Sequence, residues 1–209
     1  MKKTFFLYMT IALMALGSCE GSMTSASYDY AVEVQLGDSL KHDSVSLFVV
    51  NDTYGSLQRG GAVKLDKGRW LFSGQTEGVR VAFLKLDSLE RPFYFVLEPG
   101  RMQINIDLRS WTINGGHENS RYVWLLNERQ RLIDARRQNR ETYLKAAADT
   151  TLSLRSERRA VLRDSLLSDS LQHLLIRYMS GGDAVSRIVR ERFINDLSAA
   201  SRKQLNSDK

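Results

Sequence analysis

One change of pattern governs what this chain can fold into: its apolar residues recur at a period of two up to Asn114 and at a helical period after Gly116. Strand side chains alternate between two faces, so a period of two means strands with one face turned to a core. Val32, Val34 and Leu36 share a face, as do Val45, Leu47 and Val49, then Val79, Val81 and Phe83, then Met102, Ile104 and Ile106. Trp70 to Phe72 and the denser run Phe93 to Leu97 add further strands. Asp52 to Gly55, Gly60-Gly61, Ser73-Gly74 and Glu98-Pro99-Gly100 supply turn chemistry between them. About eight short strands fit, and no helical stretch intervenes to carry parallel crossovers. The expectation for residues 28–116 is therefore an antiparallel β-sandwich or open barrel.

Beyond Gly116, Asn119 or Ser120 is placed to cap a helix in which Tyr122, Leu125, Leu126, Arg129, Leu132 and Ile133 recur at helical spacing. A second helix starts near Ser153 or Ser156 and presents Leu162, Leu166, Leu171, Leu174, Leu175 and Tyr178 until Ser180-Gly181-Gly182 stops it. Asp183 caps a third, carrying Val185, Ile188, Val189, Arg192, Phe193 and Leu197. The fold class is thus α+β, with about three C-terminal helices across residues 117–200. Residues 201–209 are polar and read as a frayed, flexible tail. The only prolines are Pro92 and Pro99, and no Pro-, Gly- or Ser-rich linker separates the strands from the helices.

The first 18 residues are of another kind. Lys2 and Lys3 precede an apolar run from Thr4 to Ala15, which is shorter than the roughly 20 residues needed to span a bilayer. That is the layout of an export signal. Leu16-Gly17-Ser18-Cys19 resembles the lipobox of bacterial lipoproteins, which implies cleavage before Cys19 and lipidation of its sulfur. Several acyl chains, at about 0.8 kcal/mol per buried methylene, hold a protein on a membrane far more firmly than one. Residues 19–27, small and polar after the cysteine, read as a tether. Glu20 stands where some bacteria use an aspartate to retain lipoproteins at the inner membrane, so the outer membrane of the cell envelope is favoured, with its periplasmic and surface faces both open.

Cys19 is the only cysteine in the chain, which excludes an internal disulfide, a Cys-x-x-Cys redox pair and a multi-cysteine zinc site. His42, His117 and His173 are too scattered for a histidine metal motif and read as surface or capping residues. Basic residues number 10 against 12 acidic in residues 19–115, but 18 against 12 in residues 116–209. The tandem arginines Arg136-Arg137, Arg158-Arg159 and Arg190 with Arg192 have Glu128, Asp134, Glu141, Glu157, Asp164 and Glu191 near helical spacing. They read as salt-bridged solvated faces, not as a nucleic-acid surface. Gly60-Gly61 and Gly115-Gly116 lack the following Lys-Ser or Lys-Thr of a phosphate loop and read as turns. Asp87, Glu90 and Glu98 contain too little to define a glycosidase carboxylate pair. The aromatics Trp70, Phe72, Phe83, Phe93, Tyr94, Phe95 and Trp111 follow strand periodicity and read as core.

Trp70-Leu71-Phe72-Ser73-Gly74, Phe95-Val96-Leu97-Glu98-Pro99-Gly100 and Ile113-Asn114-Gly115-Gly116-His117-Glu118-Asn119 resemble short stretches of a bacterial domain of unknown function numbered 4369. The resemblance runs over roughly residues 28–125. It implies a domain that often precedes a thioredoxin-like domain in envelope thiol-disulfide oxidoreductases. Without a Cys-x-x-Cys, that redox activity does not carry over, and no catalytic residue maps.

No catalytic, cofactor or metal residue is therefore assigned, and Cys19 is the one site residue. The expectation is a non-enzymatic, lipid-anchored envelope protein that binds a protein or a glycan, and no nucleic acid. The alternatives are an accessory or regulatory subunit of a separately encoded thiol-disulfide oxidoreductase or hydrolase, and a hydrolase whose carboxylates converge only in the fold.

Overall fold

The computed structural model describes residues 28–50, 57–66, 68–148 and 153–207. The signal segment 1–18, the tether 19–27, Cys19 and the turn at Asp52 to Gly55 lie outside the described residues.

Nine strands form two sheets among these residues: β1 Tyr28–Leu36, β2 Val45–Val50, β3 Leu57–Arg59, β4 Ala62–Asp66, β5 Arg69–Thr76, β6 Arg80–Leu86, β7 Phe93–Leu97, β8 Gly100–Ile106 and β9 Trp111–Asn114. One sheet runs β4-β5-β1-β8-β9 and the other β3-β2-β6-β7, and neither closes on itself. Their facing sides share one core. Val32, Val34, Leu36, Phe72, Met102, Ile104 and Ile106 from the first sheet meet Val45, Leu47, Ala82, Leu84, Leu86, Phe95 and Leu97 from the second. The β-rich region is thus an open two-sheet structure.

The antiparallel expectation needs one correction. β1 and β8 lie side by side in parallel, with Val32 opposite Met102 and Val34 opposite Ile104. Both strands are central in their sheet, and their inward residues form one continuous apolar row. Alternation is identical for parallel and antiparallel strands, so the pattern alone does not distinguish them.

Four α-helices follow, one more than expected: α1 His117–Ala148, α2 Leu154–Met179, α3 Ala184–Phe193 and α4 Ala199–Ser207, with a short 3-10 turn at Ile194–Asp196. Ser153 caps α2 with a reciprocal capping box through Ser156, and Asp183 caps α3 by accepting the Ser186 N–H at 2.8 Å. The tail reading of residues 201–209 is overturned for its described part. Residues 201–207 belong to α4, and Leu205 is 2% exposed in the helical core. One well-buried leucine is enough to hold a short polar helix that would not persist alone.

The helices cover the outer face of the second sheet. Val81 and Val96 point away from the sandwich core and join Tyr122, Leu125, Leu132, Leu171, Leu175, Met179, Val185, Ile188 and Val189 in a second core. β6 and β7 thereby serve both cores, which explains the dense apolar run from Phe93 to Leu97. The result is three layers: sheet, sheet and helices.

Candidate functional site

The joint between strands and helices is built on Glu98 and Asn119. Glu98 sits in the turn between β7 and β8 and is 8% exposed. Its carboxylate accepts the His117 N–H at 2.9 Å and the Asn119 N–H at 3.0 Å, two of the orphan donors that open α1. A negative charge there also complements the helix dipole. Asn119 is therefore not the cap, as its sequence position suggests. The helix starts two residues earlier, and the cap comes from a strand turn about twenty residues upstream. The Asn119 side chain is spent elsewhere: its Oδ1 accepts the Val96 N–H at 2.9 Å and its Nδ2 donates to the Val96 carbonyl at 2.7 Å. β7 is an edge strand, so the amide stands in for a missing neighbour.

Gly115 and Gly116 make this approach possible. Both have positive φ, at 94° and 84°, and a Cβ at Gly116 would overlap the Glu98 carboxylate. The two glycines are turns, as expected, with a packing requirement that sequence reading missed.

A second set of polar contacts ties α1 to α3. Arg192 donates to the hydroxyl of the fully buried Tyr122, and the guanidiniums of Arg129 and Arg192 lie 4.5 and 5.0 Å from the ring of Phe193. Arg129 also pairs with Asp196 at 2.6 Å. The Tyr94 hydroxyl donates to Glu191 at 2.6 Å, and burial together with that carboxylate pushes its pKa up to about 12. Glu191 thus takes a tyrosine where an arginine partner was expected. Of the other acids expected as partners at helical spacing, Asp134 pairs with Arg137 at 3.7 Å, whereas Asp164 is reached by Arg136 from the other helix at 3.0 Å. The Arg136 guanidinium holds the Asp164 carboxyl below its ordinary range.

The remaining sequence candidates do not converge. Glu98 is buried at the joint, while Asp87 and Glu90 are exposed in the loop after β6. His42, His117 and His173 are all exposed. Among the described residues no group of three or more His, Cys, Asp or Glu side chains is arranged to hold a metal, and no helix is long and apolar enough to cross a membrane. Phe72 and Phe95 are core residues; Trp70, Phe93 and Trp111 pack against that core, with Phe93 and Trp111 edge to face at 5.1 Å.

The feature that stands out is the far half of the α1–α2 hairpin. Past Leu132 in α1 and before Leu171 in α2, none of the described residues is buried. Asn139 Nδ2 donates to the Ala160 carbonyl at 2.8 Å, and the Arg136–Asp164 pair adds a second cross-link, but no apolar core forms. Leu154, Val161, Leu162 and Leu166 are instead 76, 63, 61 and 58% exposed. Of the apolar residues the sequence places in this helix, Leu171 and Leu175 are buried while Leu162 and Leu166 face outward. Nine residues separate each outward leucine from its inward counterpart, which at 100° per residue is half a turn. A cleft of about 590 Å³ runs beside this ridge, lined by Arg136, Arg140, Tyr143, Ala160, Val161 and Asp164 among others.

An open pair of sheets, joined by a buried turn carboxylate to a helical layer, defines the class: a β-rich domain with a fixed helical extension. Residues 30–122 match the model of the domain of unknown function DUF4369, so the chain carries a domain of that family. The matched stretch ends at Tyr122, just past the Glu98–Asn119 joint, and leaves most of the helices outside. No curated protein matches the chain.

Proposed function

We propose that this protein is a non-enzymatic, lipid-anchored component of the cell envelope that works by binding a protein through the arm formed by residues 133–148 and 154–170. One observation carries the reading: Leu154, Val161, Leu162 and Leu166 present a row of apolar side chains to solvent on a helix pair in which no described residue is fully buried. Apolar surface gathered along one helix face is the usual mark of an interaction site, whereas single exposed leucines are not. Membrane attachment through lipid on Cys19 rests on the lipobox resemblance of Leu16-Gly17-Ser18-Cys19.

A photoreactive residue placed at Leu162 in the full chain, with irradiation of host membranes, tests this. Covalent capture of a discrete protein from position 162, and not from the exposed strand position Lys64, is the expected result. Equal labelling from both positions, or none from 162, would overturn the reading. Capture of a thioredoxin-like protein or a hydrolase would make the chain an accessory subunit of that enzyme.

A further inference from the structure

Resting on that protein-binding reading, we infer that the partner of the arm is a second copy of this chain, packed antiparallel along α2. Leu154, Arg155, Arg158, Val161, Leu162, Ser165, Leu166 and Asp169 fall within an arc of about 140° on the helix, at 100° per residue. The arc holds an apolar centre with Arg155 and Arg158 toward one end and Asp169 toward the other, Arg158 and Asp169 standing about 16 Å apart at 1.5 Å rise per residue. Among the described residues, neither Arg158 nor Asp169 makes an ion pair.

Such a face is complementary to itself in one orientation only. Laid antiparallel about a two-fold axis between positions 163 and 164, it places Arg158 against Asp169 of the other copy, twice by symmetry, and Val161 against Leu166, with Leu162 over Ser165. A parallel arrangement would set Arg158 on Arg158 and Asp169 on Asp169, which is repulsive at both ends. Two hairpins joined this way bury the apolar row between the two α2 helices, with each α1 on the outer side of its own α2. Asp169 within the face and Glu157 beside it oppose an anionic membrane while Arg155 and Arg159 attract one, so the second-copy assignment rests on the Arg158–Asp169 match.

Sedimentation of the full chain in detergent, followed with concentration, tests the inference. The expected result is a reversible dimer that Leu162→Glu abolishes. Arg158→Asp and Asp169→Arg should each weaken it about tenfold or more, because symmetry counts every reversal twice, and the double variant should return to within about threefold of the parent. A chain that stays monomeric at every concentration would overturn the inference, as would a dimer indifferent to both reversals. A monomer that binds phosphatidylglycerol vesicles, and loses that binding with Leu162→Glu, would overturn it in favour of a lipid surface. A monomer whose position 162 still captures a different envelope protein would overturn the second-copy inference while leaving the protein-binding reading in place. No dimer and no capture would overturn both.

Discussion

The carboxylate of Glu98 accepts the backbone N–H of Asn119 at 3.0 Å, while the Asn119 side chain completes the edge of β7 at Val96. Each residue supplies what the other's element lacks: a cap for the helix, a partner for the strand. The sandwich and the helical layer are thereby fixed to one another at a point where all these groups are withdrawn from water.

Substitutions at this joint should be costly out of proportion to their size. Glu98→Ala leaves two helix N–H groups without their acceptor and should lower stability by about 1–3 kcal/mol. Asn119→Leu keeps much of the volume but strands the Val96 amide and should cost about 2–4 kcal/mol. Gly116→Ala must also accommodate a positive φ and an overlap with Glu98, whereas Gly182→Ala has open space and should shift stability by less than about 0.5 kcal/mol. Urea unfolding midpoints of the four variants check the order.

The C-terminal helix should behave as part of the fold. Leu205→Ala removes a side chain 2% exposed and should cost about 2–4 kcal/mol, close to Leu47→Ala in the sandwich core. Thermal unfolding followed by circular dichroism measures both.

Two groups set the expected pH dependence. Asp164 has a folded pKa below its ordinary value because it accepts hydrogen bonds from Arg136, so its contribution is present above the ordinary carboxylate range and is lost as pH falls through the lowered value. Both side chains are close to half exposed, which keeps the contribution small. Tyr94 has the opposite sign of shift: its pKa is raised from 10.0 to about 12, so its contribution is full below pH 10 and is lost as pH climbs through 12. Asp164→Asn should flatten the acid limb of the stability profile and Tyr94→Phe the alkaline limb, as read from melting temperature against pH.

Much of the sandwich could be read from alternation alone, because each strand turns one face to a core and the other outward. What alternation cannot carry is direction, hence the parallel β1–β8 pair. The role of Glu98 was hidden for a different reason: it acts on N–H groups 19 and 21 residues away, and at sequence level it is one acid beside a proline. Leu205 stands alone in a polar run and shows no period. The outward row on α2, by contrast, was present in the spacing. Leu162 and Leu166 lie half a turn from Leu171 and Leu175, and a helix that carries apolar residues on opposite sides along its length must pack two ways.

The most direct measurement is amide hydrogen exchange on the full chain, at a dilution where it is alone and again with its partner bound. If the arm has no core of its own, amides of residues 135–146 and 156–168 should exchange orders of magnitude faster than those of residues 122–132 and 171–178 in the free chain, then slow on association. Equal protection along both helices in the free chain, or no change at the arm on association, would contradict the account.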